Sequence, residues 1–247
     1  MYIYEKAFKE SIALCLSIER EWLLIGQNLE GEMRPSEALH TLDRLIHLMK
    51  ILERSDAKVK LLHELNHRFE VIESNHQDEE VLVSTLKEQC SGVTLALTKS
   101  SRILSRQLIS DPFLARFYYR QDDIYHSVYA DIWSKQSNSL IKQQTQYWLK
   151  QIESVWHACE MILWAVRYSG KFRNITVSAG FHRENIEEEV LKISLIRIGR
   201  DQVNLQPSLS LVQHWLVITV YQMEWLDSIY QSKQADHSIN LSISLCK

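Results

Sequence analysis

The apolar residues change their spacing once along this chain, at Ser169-Gly170, and that change restricts it to few folds. Before it they recur every three and four residues, the spacing that lines one face of an α-helix. Ala38, Leu42, Leu45, Met49 and Leu52 make such a stripe, opened by Pro35 and Ser36, which a helix N-terminus accepts. Leu62, Leu65, Phe69 and Ile72 continue the pattern beyond a break near Ser55-Asp56, which puts His63 and Glu64 on a solvated side. Leu82, Leu86, Cys90, Val93 and Leu97 predict another helix, and Trp148, Ile152, Val155, Cys159, Ile162 and Val166 predict the longest. Several helices with one apolar seam each imply a bundle.

Beyond Gly170 the period falls to two. Ile175, Val177, Ala179 and Phe181 alternate with polar neighbours, as do Leu191, Ile193 and Leu195, and then Ile239, Leu241, Ile243 and Leu245. Trp215 to Val220 is almost continuously apolar and predicts a more deeply buried strand, whereas Trp225 to His237 reads as a loop. Four strands without a helical crossover point to an antiparallel sheet with one face on the bundle. The expected fold is α+β, an N-terminal helical bundle over residues 1–169 and a C-terminal antiparallel β-sheet lobe over 170–247. Only six Gly and three Pro interrupt the chain, which favours long helices.

A formal net charge of -3 argues against a protein built to neutralise a phosphate backbone, so no nucleic acid is expected as the main partner. Cys15, Cys90, Cys159 and Cys246 form no CxxC pair and read as idle thiols of a reducing compartment. The opening MYIYEKAFKE lacks the pattern of a signal peptide, and no apolar run approaches the roughly 18 residues that span a bilayer. The expected location is the cytoplasm, with no membrane contact.

One motif points to an enzyme. His63-Glu64-Leu65-Asn66-His67 matches HExxH, in which histidines one helical turn apart bind zinc and the glutamate activates water. A metzincin continuation would need Gly and His where this chain has Glu70 and Glu73. No GxSxG, P-loop or GxGxxG is present. No catalytic residue, metal or cofactor is expected, and a zinc-dependent hydrolase remains the alternative.

Two blocks of residues resemble the ZapD family of division proteins. The first is Ala38-Leu39-x-x-Leu42, then Leu48-Met49-x-x-Leu52-Glu53-Arg54-Ser55-Asp56-x-Lys58 and Leu61-Leu62-x-Glu64-Leu65. The second, more specific, is Lys171-Phe172-Arg173-x-x-Thr176-x-x-x-Gly180-Phe181. The resemblance implies a homodimer that binds the C-terminal tail of FtsZ, the tubulin-like division GTPase, and bundles its protofilaments into the Z-ring at midcell. It also places basic residues of relatives at His63 and His67. Where the family binds the tail through basic residues, this chain has Ser17, Pro112, Asp131, Trp215 and Thr219.

Arg54, Arg120 and Arg173 do match basic positions of the family, and Arg116 and Lys171 flank them. These five are the expected tail site, with Phe117, Tyr118 and Phe172 as apolar anchors. Two stretches are locally positive: Lys99 to Arg120 carries five bases against Asp111, and Met161 to Arg183 carries Arg167, Lys171, Arg173 and Arg183 with no acid. Solvated helix faces, or pairing with Glu187 to Glu189, would account for them equally well.

Overall fold

The computed structural model describes residues 1–75, 80–120, 123–187, 192–226 and 229–247. Its helices are α1 (Glu10–Glu30), α2 (Pro35–Leu52), α3 (Ala57–Asn75), α4 (Glu80–Lys99), α5 (Arg106–Ile109), α6 (Pro112–Arg120), α7 (Val128–Ser134), α8 (Asn138–Gln151) and α9 (Glu153–Tyr168). A 3-10 turn covers Ile124–His126. The strands are β1 (Tyr2–Ala7), β2 (Arg173–Val177), β3 (Phe181–Asn185), β4 (Leu195–Arg200), β5 (Leu205–Val212), β6 (Trp215–Leu226), β7 (Ile229–Gln234) and β8 (Ile239–Cys246). The fold is α+β, with the helices preceding all strands but β1. The chain forms two compact units, one of Met1–Ala13 with Trp164–Lys247 and one of Leu14–Leu163.

In the helical unit, α2 starts as its sequence dictates. Pro35 needs no N–H partner at the first helical position, and the Glu37 carboxylate accepts the Arg34 backbone N–H at 2.8 Å. Ala38, Leu42, Leu45, Met49 and Leu52 are all buried, joined by Thr41, Ile46 and Leu48. Each large aliphatic chain so removed from water contributes roughly 1.5–3 kcal/mol. The long helix expected through Trp148 and Val166 is two, α8 and α9, because Ile152 leaves the helical region at φ -119. All six residues of its stripe are nonetheless buried.

Helix α3 faces inward differently from the expected Leu62-Leu65-Phe69 stripe. Its described buried residues are Ala57, Leu61, Glu64, Leu65 and Arg68, with Leu62 and Phe69 only half-buried. The solvated position expected for Glu64 is therefore corrected: its carboxylate is inside, because Arg68 one turn on supplies the counter-charge.

The β unit holds two four-stranded antiparallel sheets among the described residues, ordered β1-β4-β8-β2 and β3-β6-β5 with β7 also on β6. One core joins them, built from Ile175, Val177, Ile196, Ile198, Leu241 and Ile243 on one side and Leu205, Leu209, Leu216, Ile218 and Val220 on the other. The single four-stranded sheet of the sequence reading thus becomes a sandwich. The expected loop from Trp225 to His237 is also corrected, since β6 runs on to Leu226 and pairs with β7. Strand β5 escaped notice because Pro207 interrupts its alternation. Proline is tolerated there because β5 is an edge strand. Leu191 lies outside the described residues, and the strand expected around it begins at Leu195.

Gly180 makes the tight turn between β2 and β3 at φ +67, and a Cβ there would sit 2.6 Å from the Ala235 carbonyl oxygen. Gly180→Ala is expected to cost about 1–3 kcal/mol, read as a fall in the urea midpoint at unchanged slope. All four cysteines are free and buried. Burial first, and then the neighbouring Cys15 thiol, push the Cys159 thiol well up, which keeps Cys159 protonated and unreactive.

Candidate partner-binding site

The five expected tail-site residues fall in different surroundings. Arg54 is exposed just beyond α2 and pairs with Asp56, Nε to Oδ1 at 3.3 Å. Lys60 first and Arg54 second hydrogen-bond that carboxylate and hold it below its usual range. Arg116, half-buried on α6, stacks its guanidinium on the exposed Tyr129 ring at 3.6 Å from the centroid. Arg120 closes α6, and its side chain lies outside the described residues. These three belong to the helical unit, whereas Lys171 and Arg173 belong to the β unit. Lys171 is exposed, and Arg173 donates through Nη2 to both carboxylate oxygens of Glu184, at 2.5 and 2.6 Å.

That pair makes a pH prediction. Burial alone would raise the Glu184 carboxyl, but the hydrogen bond and charge of Arg173, helped by His182, outweigh it and leave it below the ordinary glutamate value. A carboxyl depressed in the folded state contributes stability above its unfolded pKa, and that contribution disappears as pH falls through the folded value. The stability gap between the parent and Arg173→Ala should therefore be present at pH 7 and should shrink below the glutamate range of about 4.3. Urea unfolding at pH 7 and at about pH 3 reads it.

The remaining bases of the acid-poor stretch find partners elsewhere in the chain. Arg167 grips Glu5 at 2.9 and 2.6 Å, Arg197 reaches the same carboxylate at 2.9 Å, and Arg183 stacks on Trp215 at 3.9 Å. Asp111 makes no ion pair with its basic stretch among the described residues. It caps α6 through the Phe113 and Leu114 N–H groups and accepts the Trp148 indole N–H at 2.9 Å.

The anchors differ from expectation. Phe117 and Tyr118 are 2% and 9% exposed and belong to the core, whereas Phe172 is accessible beside Arg197. Exposed apolar side chains of the helical unit include Leu23, Val59, Leu95, Leu140 and Tyr147 and, near Arg116, the group Tyr119, Tyr125, Val128, Tyr129 and Ile132, each of that group 53% to 69% exposed. On α7 they point outward because Ala130, Trp133 and Ser134 take the inward face. So short a helix shows too little of its period for the sequence to reveal which face is inside.

The HExxH residues do not converge. His63 and His67 are exposed, while Glu64 is 5% exposed and accepts from Arg68 Nε and Nη2 at 2.7 and 2.6 Å. A carboxylate held inward by a guanidinium is not aimed at a metal between the two outward rings. Among the described residues no group of three His, Cys, Asp or Glu side chains is placed to hold a metal ion, and no helix is long and apolar enough to cross a membrane.

The ZapD family model, described as a cell division protein, matches residues 24–219, which runs from within α1 to within β6. The chain belongs to the ZapD family. No curated protein matches it. At the two sheet positions where ZapD resemblance leads one to expect a base, Trp215 and Thr219 lie on the outer face of β6, opposite Asn185 and Phe181 of β3. The cation on that face is Arg183, two residues along β3 from each.

Proposed function

We propose that this ZapD-family chain is a non-catalytic division factor that acts as a homodimer, binds the C-terminal tail of FtsZ and cross-links FtsZ protofilaments in the cytoplasm at the midcell Z-ring. The family assignment gives the cellular process. The observation that carries the finer reading is Arg116 stacked on Tyr129 amid exposed Tyr125, Val128 and Ile132. A guanidinium fixed against an aromatic ring offers its fork of donors to a carboxylate at little further ordering cost, and the apolar neighbours supply surface to desolvate. Arg54 and Arg173 already have carboxylate partners and contribute less. With one tail site per subunit, a dimer bridges two filaments, and repeated engagement along a polymer multiplies a modest single-site affinity. Co-sedimentation of the full chain with FtsZ and GTP, using whole FtsZ and FtsZ without its tail, tests this. Bundling should require the tail, and equal bundling of both forms would exclude the reading.

A further inference from the structure

A cleft of about 210 Å³ opens between α2, α6 and the 3-10 turn. Buried Ile46, Phe117 and Ile124 floor it, and Asp43, Lys50, Asp123 and Tyr125 form its rim, so two carboxylates face one ammonium. Asp123 is engaged locally, accepting the Tyr125 backbone N–H at 3.0 Å and meeting His126 Nδ1 at 2.6 Å. Asp43 makes no ion pair among the described residues. Asp43 and Tyr125 share the rim, and burial first and the Asp43 charge second push the Tyr125 phenol up against the opposing charge of Arg44.

From Tyr125 the exposed apolar run continues through Val128, Tyr129 and Ile132 and meets Arg116 at the Tyr129 ring. Helix α7, α6 and the 3-10 turn all pack on α2, so these residues share one scaffold. The surface has a cation at one end, aromatic and aliphatic side chains between, and an anionic cleft with an apolar floor at the other.

We infer that this surface takes a segment of a partner protein in which an acidic residue, a short apolar run and a basic residue succeed one another, the acid on Arg116 and the base in the Asp43 cleft. The inference rests on the reading of Arg116 as a tail-binding residue and adds a second pole that fixes which way the segment lies. A lysine or arginine stem covers Ile46, Phe117 and Ile124 while its head meets Asp43 and Asp123 at the rim. Opposite charges at the two ends penalise the reversed orientation, which is how polar complementarity gives specificity. A second copy of this chain fits less well. The cleft is small, about 210 Å³, and Arg116, the cation at the opposite end from Lys50, is held against Tyr129.

The test is a cycle between variants and synthetic peptides, followed by amide NMR shifts of the full chain. The probes are acetyl-Glu-Leu-Phe-Leu-Ala-Arg-amide and its counterpart with norleucine in place of arginine. Asp43→Asn should weaken the arginine peptide about fivefold and leave the norleucine peptide unchanged, and Lys50→Ala should tighten the arginine peptide. Shifts should appear at Lys50 and Tyr125. Equal effects of Asp43→Asn on both peptides, or none on either, would overturn the inference. So would Ile132→Asp splitting a dimer while peptide binding persists, which would assign the stripe to a second copy. If FtsZ is not the partner, co-sedimentation with FtsZ fails while the peptide cycle still reports on the cleft.

Discussion

Arg68→Ala is expected to cost this protein about 3–5 kcal/mol of stability. Glu64 and Arg68 are both almost fully buried on α3 and meet through two guanidinium nitrogens. Removing the guanidinium leaves a carboxylate inside the protein without its principal counter-charge, and desolvation of that charge dominates the cost. The pair itself contributes far less than its rupture suggests, since attraction only repays what burial costs. Replacing both residues, Glu64→Leu with Arg68→Met, should therefore stay within about 1 kcal/mol of the parent. Chemical unfolding of the three proteins separates these cases. If the single variant is as stable as the parent, Glu64 is not held inside, and the objection to the HExxH reading is lost with it.

Arg116→Glu should remove most FtsZ bundling while leaving helical content unchanged. Arg116 is only half-buried, so reversal of one exposed contact with an acidic tail is discounted to about 1–2 kcal/mol, or roughly tenfold per site. A cross-link needs two occupied sites, so the loss compounds to about a hundredfold in bridging. Arg173→Glu is expected to do less, because Glu184 already neutralises Arg173. Pelleting of FtsZ across a titration of each variant ranks them. Equal bundling by Arg116→Glu and the parent would remove Arg116 from the site.

The α-to-β change of period was legible because burial enforces it residue by residue, as the fully buried stripe of α2 shows. Less legible were elements whose pattern is set by partners far away. Strand β1 is recognisable only by its pairing with β4, and β5 hides behind Pro207. The inward face of α3 could not be read from apolar residues alone, since two of its five described buried residues form an ion pair. The same limit applies to the site. Sequence supplies the positions of the bases, but whether a base is available depends on acids such as Asp56 and Glu184. For Arg173 the acid comes from a different strand.

The pairing of β1 also imposes an order on synthesis. Tyr2–Ala7 is made well before its partner strand, which lies about 190 residues downstream. At roughly 5–20 residues per second that interval is on the order of 10–40 s. Throughout it, the whole of Leu14–Leu163 emerges and can collapse on its own contacts, while the Tyr2–Ala7 strand waits with both edges open. The nascent chain therefore carries an unpaired strand ahead of its helical unit, open to a ribosome-associated chaperone until β4 emerges.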